Sequence, residues 1–361
     1  MTATTRPGLR IGSLCTGYGG LDDAVRAVLG GETAWHADND PGASAILAHH
    51  WPHVPNLGDI TKTDFRAVAP VDVMTAGFPC QPVSAAGKRA GTADERWIFD
   101  AILAAASDLD PQPRLLVLEN VPGLLTVNDG DAMARVVHGL AALGYMGTYR
   151  LLAARDIGAA HLRIRIFIVA WPASHPGGPR LARRGTTRTT PHRDPGVAAG
   201  LTLLPTPRVS DANGAGAHGT GGADLRTAVS LLPTPRATDG SKGGPNQRGR
   251  RANDVALPAA VQPERWGKYA AAVARWERFT GLQAPAHTAP NRDGKPRLNP
   301  AFVEWLMGLV PGHVTAVPGL SHTRQLHALG NGVIPAQAAT ALRLLIADQE
   351  ARDAAALGVA M

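Results

Sequence analysis

The first residue of this chain that could do chemistry is a thiol. Cys80 lies in Pro79-Cys80-Gln81-Pro82, inside the glycine-rich, basic stretch GFPCQPVSAAGKR (residues 77–89) that follows the apolar run VDVMTA. The chain has only one other cysteine, Cys15. A lone buried cysteine usually serves as a small hydrophobe, but one in a Pro/Gly loop at a strand end is less readily explained that way. The next apolar run, RLLVLEN, carries Glu119 and Asn120 to its end. Burial there would raise the Glu119 pKa and make it an acid near neutral pH. In HLRIRIFIVAW, a period of two puts His161, Arg163 and Arg165 on one face of a strand. Two guanidiniums there need an anionic or carbonyl partner, and a structural ion pair meets that need as well as a ligand does.

These residues need elements that bring them to one edge. Over the first 172 residues, the apolar runs LRIGSLC, TAWHAD, VDVMTAG, RLLVLEN and RIRIFIVAW read as buried strands. Between them GLDDAVRAVLG, PGASAILAHHW, RWIFDAILAAASDL and DAMARVVHGLAALG read as helices. Such alternation predicts an α/β fold with a parallel sheet covered on both faces, whose ligands lie beyond the carboxyl ends of the strands. The first strand ends in CTGYGG, where Gly17, Gly19 and Gly20 open a helix. The pattern is G-x-G-G, not a full dinucleotide fingerprint, and a tight strand-to-helix turn explains it equally well. Asp38, 21 residues beyond Gly17, stands where a carboxylate can meet ribose hydroxyls, or is simply an exposed turn residue. Asp59 in LGDIT either closes a nucleoside pocket or caps a helix.

Apolar residues make up 44% of the 361, enough for a large core. No run of 18 apolar residues occurs and MTATTRPGLR lacks an apolar signal region, so a soluble, non-secreted, cytoplasmic chain is expected. Two cysteines exclude a disulfide framework or a four-cysteine zinc site, and no metal ligand set is expected. The net charge of +7 is uneven: residues 175–252 hold 12 Lys/Arg against 4 Asp/Glu, a balance of +8. That segment has either a polyanion partner or a solvated loop's character. Residues 173–265 contain no Phe, Trp or Tyr, and LLPTPR occurs twice, from Leu203 and from Leu231. Two similar loop-rich units in a small second domain follow from this. Helical pattern returns in WGKYAAAVARWERFTG, in NPAFVEWLMGLVPG, and after the Gly-Asn-Gly turn of LGNGVIPAQAATALRLLIADQEARDAAAL.

Taken together, the motifs resemble those of the DNA (cytosine-5) methyltransferases, including restriction–modification and bacteriophage enzymes. The carriers, in the family's order, are SLCTGYGGLDDA, GFPCQPVS, LENV, HLRIR, NPAFVEWLMG and LGNGVIP. Four positions depart from the family pattern: Cys15 and Val83 stand for Phe, His161 for Gln and Gly332 for Ser. The resemblance implies a Rossmann-like S-adenosylmethionine-dependent methyltransferase sheet with a smaller loop-rich target-recognition domain. It divides the chain into a catalytic and cofactor-binding domain (1–172), a target-recognition domain (173–298) and a return segment (299–361) whose last helix packs on the first domain.

The implied reaction moves a methyl group to C5 of a cytosine flipped out of duplex DNA, with Cys80 adding at C6. Glu119, Asn120, Arg163 and Arg165 are the implied catalytic helpers. Cys15, Thr16, Gly17, Gly19, Gly20, Leu21, Asp38, Asn39, Asp59, Ile60, Gly77, Pro79, Asn331 and Gly332 are the implied S-adenosyl-L-methionine site. Gln81, Ser84, Lys88, Arg89, Arg208 and Arg236 are the implied DNA contacts. Partners are double-stranded DNA and, in a restriction–modification setting, a restriction endonuclease; the chain is expected to be monomeric and away from membranes. An RNA cytosine-5 methyltransferase of the same fold and an inactive DNA-binding homologue are the alternatives. A zinc deaminase is not, because Val83 stands where its second cysteine is needed and a His-x-Glu motif is absent.

Overall fold

The computed structural model describes residues 8–78, 97–174, 266–267, 269–294 and 296–356. Pro79, Cys80, Gln81, Val83, Ser84, Lys88, Arg89, Arg208, Arg236 and both LLPTPR copies lie outside the described residues. In chain order the elements are β1 (Arg10–Leu14), α1 (Gly20–Leu29), β2 (Glu32–Ala37), α2 (Pro41–His50), β3 (Val73–Gly77), α3 (Phe99–Asp108), β4 (Leu115–Asn120), α4 (Asp131–Ala142), β5 (Tyr145–Ala153) and β6 (Ile164–Pro172). After these come α5 (Ala270–Thr280), β7 (Thr288–Pro290), β8 (Pro296–Leu298), α6 (Pro300–Leu306), α7 (His322–Asn331) and α8 (Pro335–Ala356).

Local chemistry accounts for several boundaries. α1 begins after Gly19, whose left-handed φ of 84° a side chain would resist, and carries Asp22 and Asp23 in its first turn, complementing the helix dipole. α2 has Pro41 in its first turn, and the Asp40 carboxylate accepts from the Ala43 N–H at 2.8 Å. α6 repeats the device with Asn299 and Pro300.

The chain divides into two compact units. Unit 1 comprises Met1–Ala153, Ile164–Thr190 and Gly332–Met361. Its sheet has the order β2-β1-β3-β4-β6-β5. On one face, Leu14, Met74, Leu116, Leu118, Ile166 and Ile168 pack with Phe99 and Ile102 of α3 and Val136 and Leu140 of α4. On the other, α1 packs on β3 and on α8, which also covers β5 and β6.

The sheet departs from the expected all-parallel form. β1 to β4 are parallel, but β6 runs antiparallel to β4, and β5 antiparallel to β6. β5 was not legible as a strand. It is the edge strand, it contains Gly147, and its outer positions are exposed, which blurs the apolar alternation. The reversal matters for function. Asn120 at the end of β4 pairs with Ile166 near the start of β6, so the first residues of β6 share an edge with the carboxyl ends of β1, β3 and β4.

Unit 2 comprises Ala154–Arg163 and Pro191–Asn331. Its described core stacks Phe302 on Trp266 and buries Trp276, whose indole N–H donates to the Trp305 carbonyl at 2.9 Å. Arg275 donates to the Gly158 and Ala159 carbonyls at 3.1 and 3.2 Å, tying the 154–163 segment to α5. Buried Glu304 is a hub: Oε1 accepts the Val314 and Thr315 N–H groups at 2.6 and 3.0 Å, and Oε2 accepts the Gly312 N–H and Thr315 hydroxyl, each at 2.8 Å.

Candidate active site

The turn after β1 is built from its backbone outward. The Cys15 N–H donates to the Ala37 carbonyl at 2.8 Å, and Cys15 takes a left-handed φ of 50°. The next N–H to turn inward is that of Gly17, which donates to Asp38 Oδ2 at 2.8 Å. Asp38 Oδ1 accepts the Asp40 N–H at 2.9 Å. Burial pushes the Asp38 carboxyl above the ordinary aspartate range, against the pull of those two donors. Burial likewise drives the Cys15 thiol far up, so it stays protonated and serves as packing. Asn56, which the sequence did not single out, accepts the Asp38 N–H and donates to the Asp38 carbonyl, both at 3.0 Å. It thereby fixes the residue that fixes the turn.

Below the turn lies a buried polar pair. Asp22 of α1 accepts the Thr75 hydroxyl at 2.5 Å, and its other oxygen lies 3.9 Å from His36 Nδ1. Burial raises Asp22 to about 6 and lowers His36 to about 4.

The carboxyl ends of β3 and β4 bring in the other groups. Glu119, almost fully buried, is paired with Arg165 across 2.9 Å, from Nε to Oε1. Asn120 donates from Nδ2 to the Phe78 carbonyl at 3.4 Å and accepts the Val121 N–H at 2.8 Å. It thus grips the chain two residues before Cys80. Gly77 sits between these groups. A Cβ there would stand 3.7 Å from the Cys15 carbonyl oxygen, 3.7 Å from Glu119 Oε2 and 3.8 Å from Val333 Cγ2.

The expected strand through His161, Arg163 and Arg165 is shorter than the alternation suggested. β6 starts at Ile164, and Arg163 has a φ of 28°, which breaks the period. Each arginine still finds a partner of the expected kind. Arg165 has the Glu119 carboxylate, and buried Arg163 donates to the Gly330 carbonyl at 3.3 and 3.4 Å within unit 2. His161 is fully buried.

Other candidates make local contacts. Asp59 accepts from the Thr61 hydroxyl at 2.7 Å and the Thr61 N–H at 3.0 Å, and pairs with Lys62 at 3.2 Å; the Thr61 hydroxyl is the main cause of its lowered pKa. It closes its own turn rather than capping a helix. Asn331 is exposed and lies against the His327 ring, 3.4 Å from Nε2. Asn39 is exposed, Ile60 and Leu21 belong to the buried interior, and Thr16 donates its hydroxyl to the Ser13 carbonyl at 3.2 Å.

A strand-end glycine turn beside a buried carboxylate paired with a partly exposed guanidinium suits a nucleotide-like ligand next to a polar ring. A family model described as C-5 cytosine-specific DNA methylase matches residues 9–190, just over half of the chain. The chain belongs to that family. It is 41% identical over 116 residues to the type II methyltransferase M.BsuFI of Bacillus subtilis, covering 32% of this chain and 28% of that protein. It is 40% identical over 142 residues to a protein of Escherichia phage P1 named DNA N-6-adenine-methyltransferase, covering 36% of this chain and 19% of the phage protein. The chain thus spans less than a third of the length of these two relatives. The structure of the Entamoeba histolytica methyltransferase EhMeth aligns over 95% of this chain and 99% of its own, with a TM-score of 0.54 at 14% identity, a likeness of fold. The family and fold make this a Rossmann-like methyltransferase sheet with S-adenosylmethionine as cofactor.

The turn after β1 fits that cofactor. Gly17 has a φ of 59° and open space where a Cβ would stand, Asp38 presents a carboxylate beside it, and the missing Cβ of Gly77 leaves room between Cys15 and Glu119. No described helix is long and apolar enough to cross a membrane.

Proposed function

We propose that this chain methylates C5 of cytosine within a specific sequence of duplex DNA, through a transient bond between Cys80 Sγ and ring C6. The observation that carries the reading is the Glu119–Arg165 pair at the end of β4, with neighbouring Asn120 holding the Phe78 carbonyl just before the thiol.

Cytosine C5 is a weak nucleophile. The Cys80 thiolate adds to C6, and the C5–C6 π pair shifts so that C5 becomes enamine-like. The protonated Glu119 carboxyl donates its proton to ring N3, offsetting the negative charge that builds there, and takes it back when Cys80 leaves, while Arg165 holds Glu119 in place. Asn120 sets the start of the Cys80 loop, and Arg163 and Arg165 are the guanidiniums assigned to the base carbonyl. When bound, S-adenosylmethionine would supply the methyl from a positively charged sulfur, with a neutral thioether as the leaving group. After C5 has taken the methyl, a general base removes the C5 proton, the double bond re-forms, and Cys80 leaves as thiolate. Asp38, Asn39, Asp59 and Ile60 would hold the nucleoside part of the cofactor, and the Cys15–Leu21 turn, Gly77, Pro79 and Gly332 would complete its site.

The base must leave the helix to reach such a site. Gln81, Ser84, Lys88 and Arg89 contact the DNA as the loop closes. Residues 173–298 recognise the target, with Arg208 and Arg236 reading base edges in the major groove. The chain works as a cytoplasmic monomer, alongside a restriction endonuclease where one is present.

The test is covalent trapping. The full chain, with S-adenosylmethionine and duplex DNA bearing 5-fluorocytosine at the methylated site, is expected to form a denaturation-resistant adduct that Cys80→Ser lacks. Labelled methyl transfer is expected to DNA and not to RNA. Adduct-free transfer, or transfer by Cys80→Ser at the normal rate, would overturn the mechanism; transfer to RNA alone would overturn the substrate.

A further inference from the structure

The cofactor turn is locked to a segment more than three hundred residues away. Tyr18, between Gly17 and Gly19, is fully buried, and its hydroxyl donates to the Val333 carbonyl at 2.7 Å. Two glycines make room for this contact. A Cβ on Gly332 would fall inside the Tyr18 ring, against Cε1, Cζ and Cδ1. A Cβ on Gly20 would collide with the Val333 carbonyl oxygen and approach Tyr18 Cε2 to 2.7 Å. Neither glycine has a left-handed φ, so space and not backbone conformation excludes a side chain at both. Tyr18 therefore occupies the volume that the residue at 332 would use, which accounts for glycine at that position.

The contact reaches the chemistry through Val333. Its Cγ2 joins the Cys15 carbonyl and Glu119 Oε2 around the empty Cβ position of Gly77. The carbonyl of one residue is held by the cofactor turn while its side chain faces the same Gly77 Cβ position as the Glu119 carboxylate. We propose that Tyr18 is a positioning residue: interlocked with Gly332 and gripping the Val333 carbonyl, it seats Val333 as the wall shared by the cofactor turn and Glu119. This rests on the methyltransferase reading of the site. All the groups involved belong to one unit, so the interlock is a property of that unit's own packing.

The experiment uses the full chain and reads two quantities: denaturant unfolding without ligand, and S-adenosylmethionine affinity by calorimetry, with steady-state kcat and KM alongside. Tyr18→Phe removes one buried hydrogen bond and keeps the ring. It is expected to fold and to weaken S-adenosylmethionine binding about tenfold, with KM rising more than kcat falls. Gly332→Ala drives a methyl into the ring and is expected to weaken binding further or to unfold the chain. The double variant Tyr18→Leu/Gly332→Ala is expected to recover stability and affinity relative to Gly332→Ala alone, because the smaller side chain vacates the contested volume. Additive effects of the two substitutions would overturn the interlock. A folded Tyr18→Phe chain with unchanged affinity and KM would overturn the positioning role. Failure of the unaltered chain to bind S-adenosylmethionine would instead sink the reading of the site.

Discussion

Arg165 Nε lies 2.9 Å from Glu119 Oε1 because β6 runs against β4. Glu119 pairs with Phe167 and Asn120 with Ile166, so the residue just before Ile166 reaches the end of β4. In an all-parallel sheet the start of β6 would lie at the opposite edge. One strand reversal thus brings a guanidinium to a nearly buried carboxylate, where the pair fixes the acid's orientation.

Arg165→Leu removes the guanidinium that pairs with Glu119. It is expected to destabilise the chain by about 3 kcal/mol and to cut single-turnover methyl transfer at least about 100-fold. Arg165→Lys keeps the charge but not the planar fork and should fall between. Denaturant unfolding and rapid-quench transfer assays check this; unfolding of Arg165→Leu indistinguishable from that of the unaltered chain would refute it.

Asn120→Ala frees the Phe78 carbonyl and the loop that begins beyond it. Transfer is expected to slow by about 10- to 100-fold, with S-adenosylmethionine affinity within about twofold of normal. A loss confined to cofactor affinity would contradict the role given to this side chain.

The Asp22–His36 pair predicts a compensated pH response. Asp22 is raised from 3.8 to about 6, so the native state holds its proton more tightly, and its contribution to stability falls as pH rises from about 4 to 6. His36 is lowered from 6.5 to about 4, so the unfolded chain binds the extra proton, and its contribution rises with pH between about 4 and 6.5. The two slopes oppose each other, each worth about 3 kcal/mol over its window. Asp22→Asn is expected to leave a stability that climbs steeply through that range, and His36→Asn one that declines. Urea unfolding at pH 4.5, 5.5 and 6.5 measures both; equal slopes in the two variants would refute the assignment.

Glu304→Ala strands three N–H groups and a hydroxyl around a buried carboxylate position. A loss of about 3–5 kcal/mol is expected, with Glu304→Gln intermediate because one acceptor oxygen remains. Hydrogen exchange at the Val314 and Thr315 amides should speed up in both; unchanged protection would count against the hub.

Local elements, and the order of the chemical groups along them, follow from the amino-acid order alone. Glycine at 19, Asp40 before Pro41 and Asn299 before Pro300 act over a few residues, so the starts of α1, α2 and α6 were readable without a fold. The apolar runs likewise marked where β1 to β4 end, and therefore where Gly17, Asp38 and Glu119 would stand. Only the tertiary structure decided which of these groups meet. The direction of β6 depends on pairing with β4 and on an edge strand, β5, whose half-exposed pattern hides it. The break at Arg163 is a left-handed residue that no alternation reveals. Asp59 turned to its own threonine, and Tyr18 met Val333 across 315 residues. Composition and periodicity report the free energy of neighbours in the chain. Contacts between distant segments depend on how whole elements pack, and they carry no local signature.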